Sequence, residues 1–496
     1  MKTLRLFLRS LILIFVLSLL PNKCIGQPNE IGSGIAINFP GTVGSRVDLG
    51  DVYNSVNFPL TIEAWIYPTA WMPSVYSPVM ASDNYGPGGH YYGFWLRFNT
   101  SGNLIFEIGD GYGAGSSDRR GKKTIGVPPL NAWTHIAVVA ISVNDINFYF
   151  NGVLQSTVDT DGGAINTTIL HSSYPAYIGC QEHPAAEVNF TGNLDEVRLW
   201  DIARSESEIR DKMCEKLTGL EPGLIGNWRF DESYVSSTVA DYSSTNTDGY
   251  VIGSAVKMTS GAPIGDLSVL VYSDDYLGVT LDLNSIGGDH LKLSNITNVP
   301  FGMHLYRVDQ YPYSMTGLQE IPEYYYGVFI ANDGITAKYS LDYSYSFSNG
   351  VVVPENESSS KLYKRLNNSY DIWNNSLSTL FIAANKIKKK KHAGDCEFVF
   401  TVDSITNINI VNSIVGNNAE SYSLMVYPNP STESIICQGL EVDTEFYIIN
   451  TLGEEIFRGT PLQTGCQIDV STYPDGTYFL VQNKGGVVYK TIIMKQ

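Results

Sequence analysis

The stretch that most constrains the fold of this chain is residues 190–209, FTGNLDEVRLWDIARSESEI. Its first half places the apolar residues Leu194 and Val197 among charged ones, which predicts a β-strand. Its second half predicts a short helix that Ser205 caps, with Glu208 three residues later completing a capping box. A strand that runs directly into such a helix closes one kind of β-sandwich, so this stretch predicts a sandwich.

The composition favours the same fold class. Aromatic residues make up 12% of the chain, with 32 Tyr and 46 Gly, and no long run has helical periodicity. Such a chain favours many short strands joined by tight turns. Its 496 residues exceed what one hydrophobic core organises, so we expect an all-β protein of about two to four domains.

Residues 1–26 predict a secretory signal peptide. Basic residues precede the apolar run 11–20, and the small residues Cys24 and Gly26 stand before a predicted cut at Gln27. The apolar run is too short for a permanent membrane helix. No later segment reaches about 18 apolar residues, so we expect no transmembrane segment in the mature chain.

The mature chain is acidic. Removal of the signal takes away four basic residues and no acidic one, so the formal net charge changes from −18 to −22. Such a charge repels nucleic acid, and we therefore expect no nucleic-acid partner. It suits a neutral ligand, or a ligand that a cation bridges.

Five cysteines remain in the mature chain, and an exported protein can oxidise them. Cys437 and Cys466 lie in one C-terminal region, and Cys180 and Cys214 flank the stretch described above, so each pair is a candidate disulfide. Cys396 is then left over. Because no C-x-x-C spacing exists, we expect no zinc site.

Five motifs carry a family resemblance. They are LTIEAWIYP (60–68), WTHIAVV (133–139), FYFNGVLQS (148–156), AYIG (176–179) and the stretch 190–209. Their order and spacing resemble laminin-G-like jelly rolls of the pentraxin and concanavalin type. The resemblance implies a jelly-roll domain over residues 27–265. Within it, Asn151-Gly152 predicts a type I′ hairpin turn.

The segment after residue 224 resembles one that usually opens such domains. It either supplies missing edge strands or begins a second, truncated unit, and the first interpretation is favoured. Residues 266–400 predict a β-rich middle domain, a small sandwich, because turn signals separate apolar runs. In that domain the lysine-rich run Lys386–Lys391 predicts a solvated hairpin tip. Residues 401–425 predict a linker.

Residues 426–496 combine VYPNPSTESI, TLGE, DGTYFL and a basic last strand. This segment resembles the type A C-terminal sorting domain of the type IX secretion system. The resemblance implies a source in the Bacteroidota, export across the outer membrane by the type IX machinery, and removal of this domain on export. The mature product is then secreted, or attached to lipopolysaccharide at the outer surface.

No catalytic constellation emerges from the sequence. Glycoside hydrolases on concanavalin-type folds use two carboxylates on one strand, but Asp195 and Glu196 are adjacent and should point to opposite faces. No G-x-S-x-G, H-E-x-x-H or phosphate-loop motif is present. We therefore predict a chain that is not an enzyme.

Two kinds of binding site are predicted. The resemblance implies one Ca²⁺ held near the closing strand, with Asp195 as its ligand; the alternative for Asp195 is a salt bridge or turn anchor. A glycan surface is predicted in loop 69–92, since aromatic rings stack on sugar faces and rim loops carry binding residues. The ring-bearing residues of that loop are Trp71, Tyr76, Tyr85, His90, Tyr91 and Tyr92, and loop 110–123 adds Tyr112. The alternative is that these rings pack beneath their own loops.

The sequence thus predicts an exported, non-enzymatic surface protein whose jelly roll binds carbohydrate or mediates adhesion. One alternative is an accessory protein or degenerate relative of a polysaccharide-degrading glycoside hydrolase. The other is a structural surface protein that binds a protein partner.

Overall fold

The structure, a computed structural model, describes residues 33–72, 76–83, 87–160, 162, 168–181, 188–331, 336–402, 424–427, 429–450, 455–461, 465–484 and 487–496. The predicted signal peptide, Tyr85 and residues 403–423 of the predicted linker lie outside these ranges. The chain forms two compact units, residues 1–406 and 407–496. Among the described residues, no helix has the length and apolar character needed to cross a membrane.

The first unit opens with a jelly roll of short strands and one α-helix. The strands are β1 (Ile35–Pro40), β2 (Arg46–Gly50), β3 (Leu60–Pro68), β4 (Ser77–Ser82), β5 (Phe94–Phe98), β6 (Leu104–Gly109), β7 (Arg119–Thr124), β8 (Thr134–Ser142), β9 (Asp145–Phe150), β10 (Val153–Leu154), β11 (Thr157–Asp159), β12 (Ala176–Ile178), β13 (Cys180–Gln181), β14 (Val188–Asn189), β15 (Thr191–Trp200), β16 (Leu224–Trp228), β17 (Thr238–Val239), β18 (Gly249–Ile252) and β19 (Val256–Thr259). The helices are α1 (Glu206–Lys212) and the 3₁₀ turns Pro87–Gly89 and Ser116–Asp118.

These strands form two main sheets. Sheet A has the order β10-β9-β8-β3-β15-β1-β19, with β16 beside β15. Sheet B has the order β11-β7-β6-β5-β4-β12-β2-β18-β17. Strand β3 shows how the sequence builds the sandwich: Ile62 and Ile66 lie in the core between the sheets, while Trp65 points outward into a different apolar cluster. The alternation of apolar residues in LTIEAWIYP therefore predicts the faces correctly.

The stretch 190–209 forms the predicted strand and helix. Strand β15 pairs with β3 and β1 at the centre of sheet A. The Ser205 Oγ accepts from the Glu208 amide at 3.3 Å, and the Glu208 carboxylate accepts from the Ser205 amide at 2.7 Å, which confirms the capping box. The type I′ turn is also supported, because Asn151 and Gly152 have φ of 50° and 72°.

The expectation that Asp195 and Glu196 point to opposite faces is wrong. Residue 195 lies opposite Trp65 and residue 198 opposite Glu63, so residues 196 and 197 face a single residue of β3. This is a β-bulge, and Glu196 has a φ of 47°. The extra residue breaks the period-two alternation, and Asp195, Glu196 and Arg198 all lie on the outer face of sheet A.

The strands after residue 224 complete the jelly roll, which confirms the favoured interpretation. Strand β16 pairs with β15, β19 pairs with β1, and β18 pairs with β2. This late segment therefore supplies strands to both sheets of the sandwich and does not begin a second unit.

A second sandwich follows within the same compact unit. Its strands are β20 (Leu267–Tyr272), β21 (Leu281–Asn284), β22 (His290–Thr297), β23 (Gly302–Val308), β24 (Tyr325–Ala331), β25 (Lys338–Ser344), β26 (Ser360–Arg365), β27 (Asn374–Asn375), β28 (Thr379–Phe381), β29 (Lys386–Ala393) and β30 (Cys396–Val402), with 3₁₀ turns at Glu357–Ser359 and Ile382–Ala384. Sheet C has the order β20-β23-β24-β30-β26-β27, and sheet D the order β21-β22-β25-β29-β28. Strand β30 includes the first two residues of the predicted linker.

The lysine-rich run is a strand and not a hairpin tip. It forms β29, between β25 and β28 in sheet D. Lys388 and Lys386 pair with Asp342 of β25 at 2.9 Å and 3.4 Å, and Ile387 enters the core of the second sandwich. The cross-strand ion pairs with Asp342 and the buried side chain of Ile387 stabilise this lysine-rich segment as a strand.

The two sandwiches share an apolar cluster on the outer faces of sheets A and C. Trp65 is fully buried there; its ring lies 5.1 Å from that of Phe329, and its Nε1 donates to the Met213 carbonyl at 2.7 Å. Helix α1 covers another part of this face of sheet A, where Ile209 packs on Ala137.

The second compact unit is a small sandwich. Its strands are β31 (Met425–Tyr427), β32 (Ser434–Gln438), β33 (Phe446–Asn450), β34 (Glu455–Gly459), β35 (Gly465–Asp469), β36 (Gly476–Lys484) and β37 (Val487–Lys495). They form the sheets β31-β32-β35 and β34-β33-β36-β37. Asn429 of the YPNP motif ties the entry of this unit to its last strand: its Nδ2 donates to the Ile492 carbonyl at 2.7 Å, and its Oδ1 accepts from the Met494 amide at 2.6 Å.

No disulfide joins the cysteines of the described residues in this structure. The predicted pairing of Cys180 with Cys214 is wrong, because Cys180 lies beside sheet B and Cys214 lies in the cluster on the outer face of sheet A. The core of the jelly roll separates these two positions. Cys437 and Cys466 lie directly opposite each other on β32 and β35, so their disulfide stays a prediction.

Candidate functional site

The two loops that were predicted to bind a ligand form one surface at the end of sheet B. The Tyr91 amide donates to the Gly113 carbonyl at 2.8 Å, and the Gly111 amide donates to the Tyr91 carbonyl at 2.8 Å. His90 Nδ1 lies 2.9 Å from the Gly111 carbonyl. A Cβ at Gly109 would lie 2.3 Å from the Tyr91 carbonyl carbon, so this close approach requires glycine.

We call this surface the tyrosine cluster. It consists of Tyr76, His90, Tyr91, Tyr92, Tyr112 and Arg119. Tyr112 is 77% exposed, whereas Tyr91 is 5% exposed and packs on Trp95 with ring centroids 5.2 Å apart. Tyr76, His90 and Tyr92 are half-buried. The cluster therefore combines buried rings that fix its shape with rings that face the solvent.

An arginine on the outer face of β5 supports the cluster from below. Arg97 is 1% exposed and lies beneath the Tyr76 ring, with its guanidinium carbon 3.6 Å from the ring centroid. The guanidinium donates to Glu107 at 2.5 Å and to the Gln181 side chain at 2.9 Å. This buried ion pair and the stacked ring hold Tyr76 in one orientation.

Arg119 connects the two tyrosines of the cluster that lie over sheet B. Its guanidinium is 3.4 Å from Glu107, 3.5 Å from the Tyr76 hydroxyl and 5.7 Å from the Tyr91 ring centroid. Burial lowers the pKa of Arg119, but the Glu107 carboxylate and the two tyrosines outweigh burial, and the pKa is raised. A permanently charged donor with 18% of its side chain exposed thus lies beside the aromatic rings.

A buried histidine and carboxylate fix the neighbouring loop. His171 Nδ1 lies 2.8 Å from Asp83 and its Nε2 lies 2.6 Å from the Val56 carbonyl. Burial lowers the pKa of His171, but the hydrogen bonds to these two acceptors raise it overall, which favours the cation. The adjacent Leu170 carbonyl accepts from the Gly93 amide at 2.7 Å, and this bond anchors the base of loop 87–93.

Trp71 does not join the cluster. It stacks on Phe98, with ring centroids 4.7 Å apart, and its indole lies against the hairpin at Gly102. Phe98 belongs to the core between the sheets, whereas the cluster lies over the outward-facing Trp95 and Arg97 of the same strand. Trp71 is therefore packed beneath its own loop, as the alternative interpretation had it. Tyr85 lies outside the described residues.

Sequence reasoning did not identify Trp95, Arg97, Glu107 and Arg119 as parts of a site. Trp95 and Arg97 alternate with core residues in FWLRF, so their outward direction was available from the pattern. The pairing of β5, β6 and β7 brings Arg97, Glu107 and Arg119 together, and this pairing could not be predicted from the sequence.

Asp195 is engaged in hydrogen bonds within the fold. It is 1% exposed; its Oδ1 accepts from the Glu196 amide at 2.7 Å and its Oδ2 from the Ser260 hydroxyl at 2.5 Å. Burial raises its pKa well above the usual range, and the nearby Glu196 and Asp231 add to this effect. Ca²⁺ requires several charged or carbonyl oxygens, yet no group of three acidic, histidine or cysteine side chains among the described residues is arranged for a metal. The calcium role of Asp195 therefore stays a prediction, and the alternative role as an anchor within the fold is the one that its hydrogen bonds support.

Comparison with known proteins gives two family matches. Residues 41–210 match the model of the concanavalin A-like lectin/glucanases superfamily, and residues 425–495 match that of the secretion system C-terminal sorting domain. No curated protein matches the chain.

Several solved structures are distantly similar. A candidate carbohydrate-binding protein from Bacteroides ovatus is 18% identical, with a TM-score of 0.35 over 48% of this chain and 62% of that protein. The CBM40 module of Ruminococcus gnavus IT-sialidase, bound to α2,3-sialyllactose, is 15% identical with a TM-score of 0.28 over 36% of this chain and 97% of the module. Trypanosoma rangeli sialidase is 19% identical with a TM-score of 0.22, over 31% of this chain and 22% of the sialidase. At these scores the likeness carries no argument about function.

The two family matches agree in position with the jelly roll and with the second compact unit. Residues 41–210 are thus a domain of the concanavalin A-like lectin/glucanases superfamily, and residues 425–495 are a secretion-system C-terminal sorting domain.

Proposed function

We propose that this chain is exported by the type IX secretion system and binds carbohydrate, without catalysing its breakdown, at the cell surface or outside the cell. The tyrosine cluster is the proposed binding surface. The observation that carries the proposal is that the two loops converge: the half-buried Tyr76 lies beside the partly exposed guanidinium of Arg119, and the exposed Tyr112 lies on the loop that bonds to Tyr91.

The chemistry of the cluster suits a sugar. Aromatic rings offer an apolar face to the C–H face of a sugar ring, and tyrosine hydroxyls and guanidinium groups donate to its hydroxyls. The buried pair of Arg97 and Glu107 holds the surface in place before a ligand arrives, which reduces the entropy lost on binding. The superfamily matched at residues 41–210 includes both lectins and glucanases, and both kinds of protein bind carbohydrate, which supports a carbohydrate ligand.

The hydrolase alternative is not supported at the carboxylates considered for it. The bulge does place Asp195 and Glu196 on one face, but they are 1% and 3% exposed. Glu196 pairs with Arg198 at 2.8 Å, and both oxygens of Asp195 accept hydrogen bonds. A sugar cannot reach either carboxylate without opening the fold.

The binding proposal is tested by an exposed ring. Tyr112→Ala removes a side chain that is 77% exposed, so the fold should be unaffected. We expect the affinity of residues 27–496 for a bound glycan to fall by a factor of about two to ten, which is typical for the loss of one stacking ring. The matched control is Tyr250→Ala, a 54% exposed tyrosine at the far side of sheet B, which should bind as the wild type does. Equal affinities of the wild type, Tyr112→Ala and Tyr250→Ala would contradict the proposal that the tyrosine cluster is the binding site.

The export proposal is tested by truncation. A chain ending at residue 425 should be found in the periplasm of a host that has the type IX machinery, whereas the full chain reaches the outside. Fractionation and surface labelling distinguish these outcomes. Surface display of the truncated chain would contradict the role assigned to residues 426–496.

A further inference from the structure

The two sandwiches of the first compact unit enclose a cleft of about 460 Å³ beside their shared apolar cluster. This volume is in the range of small-molecule sites, which occur preferentially where domains meet. The cleft opens between the outer faces of sheets A and C, and the tyrosine cluster lies on sheet B. The cleft is therefore a separate place in the molecule.

One wall of the cleft is aromatic. Tyr67 follows Trp65 on the outer face of β3, and its ring lies 5.6 Å from that of Trp133, tilted by 54°. Both rings are half-buried. Tyr370 stands on the opposite wall and is 51% exposed. Rings on two sides of one space provide faces on which a sugar ring can stack.

Gly261, in the segment that joins the two sandwiches, keeps the walls close together. A Cβ at this position would lie 2.9 Å from Trp133 Nε1 and 2.6 Å from Asn367 Oδ1. Trp133 belongs to the jelly roll and Asn367 to the second sandwich. The absence of a side chain at Gly261 thus lets polar atoms from both sandwiches line the same space.

Three polar side chains that line the cleft are each held within the fold through one oxygen atom. Asn193 Oδ1 accepts from the side chain of a β1 asparagine at 2.7 Å, which leaves its Nδ2 as a donor. Asn367 Oδ1 accepts from the Ser369 amide and hydroxyl at 3.1 Å and 2.7 Å, which also leaves Nδ2. Asp395 Oδ1 accepts from the Ile330 amide at 2.8 Å, which leaves Oδ2 as an acceptor. The second polar atom of each is then available to a ligand.

We propose that this cleft is a second carbohydrate site, specific for a neutral saccharide. Two fixed amide donors, one carboxylate acceptor and stacking rings match the alternating hydroxyl groups and apolar faces of a sugar. Asp395 is the charged residue among the described residues that line the cleft, and burial raises the pKa of its carboxyl group to about 7, so it is only partly ionised at neutral pH. The chain as a whole carries a net charge of −18, which adds to the negative potential in the cleft. An acidic sugar would meet electrostatic repulsion there.

The test is isothermal titration of residues 27–496 with cellopentaose, mannopentaose and xylopentaose as neutral probes and pentagalacturonate as the acidic probe. At least one neutral probe should bind, and pentagalacturonate should not compete with it. Combining Asn367→Ala with Tyr370→Ala should weaken that binding about ten-fold or more, since a hydrogen bond and a stacking ring are lost together. Gly261→Ala, which places a methyl group between the two walls, should also weaken it. Tyr311→Ala, a 45% exposed tyrosine of the second sandwich, is the matched control.

The variants distinguish binding in the cleft from binding at the tyrosine cluster. Loss of binding in the cleft variants, with Tyr112→Ala unchanged, supports the cleft independently of the tyrosine cluster. A neutral probe that loses affinity only in Tyr112→Ala binds at the tyrosine cluster, which overturns the cleft proposal and leaves the proposed function standing. Failure of every neutral probe to bind also overturns the cleft proposal, while acidic and branched glycans still test the tyrosine cluster.

Discussion

Asp195 is a tightly held residue of the closing strand. Its carboxyl group is buried, it accepts hydrogen bonds from Ser260 and the Glu196 amide, and two further acidic residues lie nearby. Since burial raises its pKa, the folded state binds a proton at this site more readily than the unfolded state. At neutral pH the ionised form therefore opposes folding, and the opposition grows as the pH rises above the unfolded pKa.

Asp195→Asn should therefore leave stability unchanged or increase it at pH 7. The amide keeps an oxygen for the Glu196 N–H and adds a donor toward Ser260, while the charge is removed. The paired variant Glu196→Gln leaves Arg198 without its carboxylate and should lower the free energy of unfolding by about 3 kcal/mol. Urea denaturation of both variants measures the difference. If Asp195→Asn were as destabilising as Glu196→Gln, the ionised carboxylate would be a required partner, as a calcium ligand would be.

At the scale of elements, the packing of sheet A on sheet C buries a neutral histidine. His304 of β23 lies 3.2 Å from the Tyr272 hydroxyl and 3.3 Å from the Ser268 hydroxyl. Burial lowers its pKa from 6.5 to about 3, and His135 on the facing strand β8 contributes to the shift. The folded chain thus binds fewer protons at His304 than the unfolded chain does. The contribution of neutral His304 to the free energy of unfolding is therefore fully present above pH 6.5 and is lost as the pH falls toward about 3.

Acidification from pH 7 to pH 5 should therefore remove the stabilising contribution of His304, while buried carboxyl groups with a raised pKa, such as Asp195 and Asp395, act in the opposite direction. His304→Gln retains hydrogen-bonding atoms but does not titrate, so its loss of stability over this range should be smaller than that of the wild type by about 2 kcal/mol. Thermal or urea unfolding at the two pH values measures this difference. The same dependence in His304→Gln as in the wild type would contradict the assignment.

The elements that sequence reasoning predicted well are those set by local rules. The capping box at Ser205, the turn at Asn151-Gly152 and the two faces of β3 each depend on a few consecutive residues, and the structure has all three. The failures are non-local. The bulge at Glu196 depends on the register with β3, and the lysine-rich β29 is stabilised by Asp342 more than 40 residues away in sequence.

The candidate site shows the same division. The tyrosines of both loops were predicted as ligand contacts because their residue type is visible in the sequence, and that role stays a prediction. The convergence of the two loops, and the support of Tyr76 by Arg97 and Glu107, follow from strand pairing in sheet B. No local pattern distinguishes Trp71, which packs on Phe98, from the tyrosines of the cluster.

At the scale of the whole molecule, Trp65 should be decisive for keeping the two sandwiches together. It is fully buried between them, and Trp65→Ala should lower the free energy of unfolding by about 3–5 kcal/mol because it leaves a large cavity and removes the bond to Met213. Trp71 lies in the same jelly roll but is half-buried, so Trp71→Ala should lower the free energy of unfolding by clearly less. Urea denaturation and protease cleavage near residue 260 measure the two effects. Equal losses in both variants would mean that the shared cluster does not hold the sandwiches together.

The central claim is that the jelly roll binds a glycan through preformed surfaces of its own side chains. The most direct test is a glycan array probed with residues 27–496, in calcium and then in EDTA. We expect selective binding to a defined set of glycans that persists in EDTA, because both oxygens of Asp195 already accept hydrogen bonds within the fold and the tyrosine cluster contacts a ligand through its own side chains. Binding that EDTA abolishes would contradict the account of the site and restore a calcium-dependent one. No selective binding in either buffer would contradict the carbohydrate-binding function itself and favour a protein partner.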